Sequence, residues 1–174
     1  VVSNTPWFCI TLPVLLPRKE HGSSAFLRPP LCHALDTYFR QHDRPTFTDC
    51  VLCFVHVYPP DRPERAYRDH DNIELNAVID TIAMYVLHDD APMRCAHFYC
   101  SQVGKQACTR VFIIPRASFL AWLNDMLFEK NRDTKKASHT SPQIAFVFNA
   151  FLYESTNLLR QRERSPGARK GAFF

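Results

Sequence analysis

The residues of this chain best suited to chemistry lie between Arg68 and Ala91: Asp69-His70-Asp71-Asn72, an apolar stretch at helical spacing, then His88-Asp89-Asp90. Carboxylates bracket that stretch at both ends, in a chain whose formal net charge is +4. Asp69 and Asp71 are two residues apart, so on an extended segment both side chains project to the same side. Such a pair offers oxygen ligands to a hard cation. Mg²⁺ takes one or two protein carboxylates, keeps several waters and shares a substrate phosphate. Held there, it polarises a phosphoryl oxygen and lowers the pKa of an attacking water. Immediately upstream, Tyr58–Arg68 (Y-P-P-D-R-P-E-R-A-Y-R) delivers Arg62, Arg65 and Arg68 to the acidic group, and guanidinium groups suit phosphate contacts. The chemistry implied is metal-assisted phosphodiester cleavage. A plainer reading uses the same residues: Asp69, Asp71 and Asn72 cap a helix, and Asp89–Asp90 form a solvated turn before Pro92.

The elements that must position these groups are legible in outline. Cys50–Val57 (C-V-L-C-F-V-H-V) predicts a buried strand, and the proline- and arginine-rich segment after it a rigid basic loop. Asn72–Val86 predicts a helix with Asp71 or Asn72 as N-cap and Leu75, Val78, Ile79, Ile82 and Val86 on one face. A helix of about 14 residues is about 21 Å long. Asp90 therefore falls far from Asp71 unless the chain folds back after Leu87 or a second subunit supplies the group. Trp7–Leu16 predicts an early strand, His21–Pro30 an irregular segment and Leu31–Gln41 a short amphipathic helix. His97–Gln102 and Thr109–Pro115 are expected to form a hairpin through Val103–Ala107. Ala117–Phe128 predicts a further helix with Phe119, Trp122, Leu123 and Met126 as its apolar stripe.

These elements amount to an α/β (α+β) fold, a small mixed sheet flanked by helices, in one domain over residues 1–130. Residues 131–174 comprise a polar linker, a short apolar segment and a basic tail expected to be disordered. At 174 residues, with 46% hydrophobic and 13% aromatic content, the chain can bury a proper core. The charge and a pI of about 8.7 are compatible with a phosphate-backbone partner without demanding one. Seven cysteines, an odd number, and an opening without the organisation of a secretory leader point to reduced thiols and a cytoplasmic location. No apolar run is long enough for a membrane helix, no Ser-His-Asp or Cys-His spacing stands out, and four glycines leave no room for a phosphate-binding glycine loop. Cys50-x-x-Cys53 has the spacing of a zinc knuckle, with Cys95, His97, Cys100 and Cys108 available to complete it. On a strand, however, residues three apart face opposite sides, and buried reduced cysteine is a common core residue.

From His56 to Pro92 the chain resembles the RusA family of Holliday junction resolvases. The pieces are H56-V-Y-P-P-D-R-P-E-R, D69-H-D71-N72 and D89-D90-A91, at the family's spacing, and F8-C-I-T-L-P13 looks like its opening strand. The resemblance implies a RusA-like, homodimeric fold that grips branched DNA such as a four-way junction, with Mg²⁺ or Mn²⁺ as cofactor and no organic cofactor. It implies catalytic, metal-binding roles for Asp69, Asp71 and Asp90, with Asp89 in support, and DNA phosphate contacts for Arg62, Arg65 and Arg68. The family's helix carries a lysine where this chain has Leu75, and its later aspartate is displaced to Asp80; Asn76 and Asp80, with Asn72, are candidate supporting residues. Loss of that lysine removes a charge that would stabilise the transition state. A catalytically weakened or inactive DNA-binding or accessory protein on the same scaffold is therefore the alternative, and a structural domain holding zinc a third.

Overall fold

A computed structural model describes residues 7–61, 63, 67–128 and 143–145, and all structural statements concern these. The centre of the molecule is β2, Cys50–Tyr58, buried at every position. Its run of β-branched, aromatic and small apolar side chains suits a strand covered on both faces. On one side β2 pairs in parallel with β3, Cys95–Val103, over its full length from Cys50↔Cys95 to Tyr58↔Val103. On the other it pairs antiparallel with β4, Cys108–Pro115. β4 pairs antiparallel with β1, Phe8–Leu12, and β1 pairs in parallel with the three-residue β5, Gln143–Ala145. The strand order is β3-β2-β4-β1-β5.

The mixed α+β architecture expected from the pattern is present, with one correction to its topology. β3 and β4 are consecutive in sequence but do not form a hairpin, because β2 lies between them. Both strands alternate correctly, and alternation says nothing about which strand sits next to which. The connection passes over the end of β2, where the Gly104 N–H donates to the Tyr58 carbonyl at 2.9 Å. A Cβ on Gly104 would lie 2.5 Å from Val57 Cγ1, so this crossing needs the bare backbone of glycine.

The helices are α1, Arg28–Phe39, α2, Asn76–Val86, and α3, Phe119–Phe128. α1 begins before the predicted start, with Pro29 and Pro30 in its first turn, where a missing N–H is no loss. Leu31 and Leu35 of α1 and Val78, Ile82 and Val86 of α2 join Ile10, Leu52, Phe54 and Ile113 in one core cluster. Trp122, with Phe119, Leu123 and Met126 packed around it, covers Val51, Cys53, Val55 and Ile114 on the other face of the sheet.

α2 begins four residues later than the pattern implies, and neither Asp71 nor Asn72 caps it. A single 3-10 turn, His70–Asn72, comes first. The first N–H groups of α2 are satisfied instead by Glu74, whose carboxylate accepts from Asn76 N at 2.9 Å, and by Ser24, whose hydroxyl accepts from Ala77 N at 3.2 Å. At the other end the Arg44 guanidinium donates to the carbonyls of Met84 and Tyr85, which suits the negative end of the helix dipole. Among the described residues no helix is long and apolar enough to cross a membrane.

Candidate metal and phosphate site

The chain from β2 to α2 has to cross the end of the sheet, and Asp69 and Asp71 ride on that crossing. Asp69 has extended backbone and enters the 3-10 turn, its carbonyl accepting from Asn72 N at 3.1 Å. Both carboxylates are exposed, and neither serves as a helix cap. Their loop is strapped down by the segment that follows β1: Glu74 N donates to the Pro17 carbonyl at 2.9 Å, and Arg18 bridges Ile73 in antiparallel fashion. Two cations arrive on the same strap. Lys19 Nζ donates to the Asp71 carbonyl at 2.8 Å, and an Arg18 Nη donates to the Tyr67 carbonyl at 3.1 Å. Nothing in the local sequence announces this, since the partners are some fifty positions apart.

His70, between the two aspartates, turns inward. Its Nε2 lies 2.9 Å from Ser101 Oγ of β3, and its ring sits 6.0 Å from that of His56 and 6.2 Å from that of Tyr99. His56 is fully buried in β2, and neither of its ring nitrogens makes a hydrogen bond of normal geometry. Burial, reinforced by His70 and Arg68, pulls its pKa down to about 4, with the Cys100 backbone opposing weakly. A histidine inside an otherwise apolar strand was the visible sign of this polar end; Ser101 and Lys19 carried no such sign.

Asp89 and Asp90 lie elsewhere. They follow α2 and precede β3, at the opposite end of the parallel β2–β3 pair. Asp89 Oδ1 accepts from Ala91 N at 3.1 Å, closing a tight turn, while Asp90 is exposed and acts electrostatically on Cys95, the first residue of β3. From Cys95 to Ser101 is six residues, about 20 Å along a strand. The chain does not fold back after Leu87, so the D-x-D and D-D groups of one chain stay apart. Among the described residues no three His, Cys, Asp or Glu side chains are grouped to hold one metal ion.

The remaining expected residues fall as follows. Arg68 is half-buried, its backbone N–H donating to Tyr58 Oη at 3.2 Å; Arg62 and Arg65 lie outside the described residues. Asn72 is half-buried in the 3-10 turn, and Asn76 opens α2. Asp80, one turn on, pairs with Arg28 of α1 at 2.8 Å and ties the two helices together. Leu75 is 7% exposed and belongs to the core, so no cation stands at that position. Cys50 and Cys53 face opposite sides of the sheet, in separate clusters, which rules out a knuckle built on that pair.

No curated protein and no solved structure matches the chain. Residues 1–138 match DUF6100, described as a family of unknown function, and that span takes in β1 to β4, all three helices and every residue of the two acidic groups. The chain belongs to the DUF6100 family.

Proposed function

We propose that this protein is an endonuclease for branched DNA, dependent on Mg²⁺ or Mn²⁺, whose metal site is completed between two copies of the chain. The observation that carries this reading is the placement of the exposed acidic groups. Asp69 and Asp71 stand at one end of the parallel strand pair and Asp89–Asp90 at the other. A twofold axis that sets two chains antiparallel brings unlike ends together and makes two equivalent composite sites, each with Asp69 and Asp71 from one copy and Asp90 from the other. β3 ends the sheet, so its outer backbone edge is the natural seam for such pairing. The metal would contribute polarisation of the scissile phosphate and a lower pKa for the attacking water. Lys19 and Arg18 bring positive charge to the loop carrying Asp69 and Asp71 from the strap after β1, in place of a helix lysine. Arg62, Arg65 and Arg68 supply phosphate contacts on the approach.

The test is cleavage of a labelled four-way junction with Mg²⁺ or Mn²⁺ by the parent protein, Asp71→Asn, Asp90→Asn and an equal mixture of the two variants. The parent cuts, and each variant alone falls by about a hundredfold or more. In the mixture, a dimer of one chain of each kind has one intact composite site and one dead one. Random pairing makes about half of the dimers of this kind, so the mixture nicks the junction with about a quarter of the parental number of sites. No cutting by the parent, or undiminished cutting by Asp71→Asn, would sink the nuclease reading. Dead variants that fail to complement would overturn the composite site.

A second reading, a non-catalytic branched-DNA-binding or accessory protein on the same scaffold, is favoured by Leu75 being built into the core. It expects junction binding without cutting, retained or tightened in the Asp→Asn variants because carboxylate–phosphate repulsion falls.

A further inference from the structure

β2 and β3 start side by side, and the first registered pair is Cys50 with Cys95. Both side chains project to the α2 side of the sheet, 1% and 5% exposed, with their sulfurs 3.9 Å apart and Cys50 donating to Cys95. Neighbouring strands are spaced about 4.8 Å, inside the roughly 4.4–6.8 Å Cα separation that a disulfide spans. The backbones are therefore already within bonding range, and only the two sulfurs have to swing together.

The pair is also chemically polarised. The hydrogen bond from Cys50 lowers the Cys95 thiol from its ordinary value, helped by His97 and opposed by burial, while the same bond and burial push Cys50 up. Burial pushes the Cys9 thiol up to about 12 and raises those of Cys53, Cys100 and Cys108 as well. The hydrogen bond thus polarises the pair, favouring ionisation at Cys95 and protonation at Cys50. A nucleophile with a resolving partner in place is what a redox-responsive pair requires.

We propose that Cys50 and Cys95 form a redox modification site that takes a hydroperoxide as oxidant and closes to a reversible disulfide between β2 and β3. The Cys95 thiolate attacks the peroxide, the O–O bond breaks, and the sulfur keeps one oxygen as a sulfenic acid while the other leaves and is protonated to alcohol or water. The Cys50 thiol then attacks that sulfur. The S–S bond forms, the S–O bond breaks, and the hydroxyl departs with the Cys50 proton as water. Two thiols have supplied the two electrons that reduce the peroxide. A dithiol reverses the link by thiol–disulfide exchange, returning both cysteines to thiols.

The test treats the reduced full-length chain with stoichiometric hydrogen peroxide, caps the remaining thiols with N-ethylmaleimide, and maps peptides without reduction. The expected product is one Cys50–Cys95-linked peptide with the other five of the seven cysteines capped, returning to seven capped thiols after dithiothreitol. Cys50→Ser should stop at a Cys95 sulfenic acid trapped by dimedone, and Cys95→Ser should lose both trap and link. Seven capped thiols after peroxide, a link between other cysteines, or dimedone labelling undiminished in Cys95→Ser would each overturn the proposal. If Cys95→Ser fails to fold, the Cys50→Ser trap still decides which sulfur reacts.

Discussion

At the scale of single residues, His56 is the most exposed to a simple test. Its pKa moves from an ordinary 6.5 to about 4 because its ring is buried beside His70 and Arg68. Above pH 6.5 it is neutral in folded and unfolded chains alike and does not affect stability. As the pH falls below 6.5 the unfolded chain takes up a proton that the folded chain refuses until about pH 4, so stability is lost across that window. Urea unfolding should show a loss of about 2 kcal/mol between pH 6.5 and 5. His56→Leu, which cannot titrate, should flatten that slope relative to the parent. The histidine was readable as an oddity in an apolar run, but its burial depends on β3 and β4 closing over both sides of β2. Likewise the D-x-D-N and D-D groups were plain in the sequence. Their separation was foreseeable from helix length, whereas the cation meeting Asp71 is Lys19, on a strap 52 residues upstream.

At the scale of elements, the three helices and strands β1 to β4 were found, with the C-terminal ends of α2, α3 and β4, while the starts of the helices were not. Periodicity marks the face of α2 that meets the core, but the helix starts where donors are satisfied, and those partners are Glu74 and Ser24. Ser24 is fully buried between Ala77 N and the Glu74 carboxylate, its hydroxyl 3.4 Å from Oε1. Ser24→Ala should therefore lower the unfolding free energy by about 1–2 kcal/mol, read from the urea midpoint at unchanged m-value. Pairing was the other hidden quantity: β3 and β4 look like a hairpin until β2 is seen between them. The crossing that permits this rests on Gly104, and Gly104→Ala, which must displace Val57, should cost about 1–3 kcal/mol in the same assay.

At the scale of the whole molecule, one chain presents unlike acidic ends and an unpaired β3 edge among the described residues. The composite-site proposal expects a dimer, and sedimentation equilibrium at micromolar concentration should report twice the chain mass. Introducing a lysine at Ser101, or a proline at the edge-facing position nearest mid-β3, should shift the equilibrium toward monomer. A parent protein that sediments as a monomer at all concentrations and on junction DNA would remove the basis for that arrangement. Fold class was legible because each level of the pattern agreed with it. Assembly was not, since no periodicity within one chain records the symmetry of two.

The strand order also sets a timetable. β2, α2 and β3 are contiguous and can close as a unit while the chain is being made, and β4 can then seat against β2. β1 emerges first yet finds its long partner only in β4: Phe8 pairs with Ile113. At 5–20 residues per second, the intervening stretch takes roughly 5–20 s to synthesise. For that interval an apolar strand, F-C-I-T-L, waits with no seat in the sheet. Until β4 is made, β1 is thus an apolar strand with unpaired edges, open to pairing with other chains.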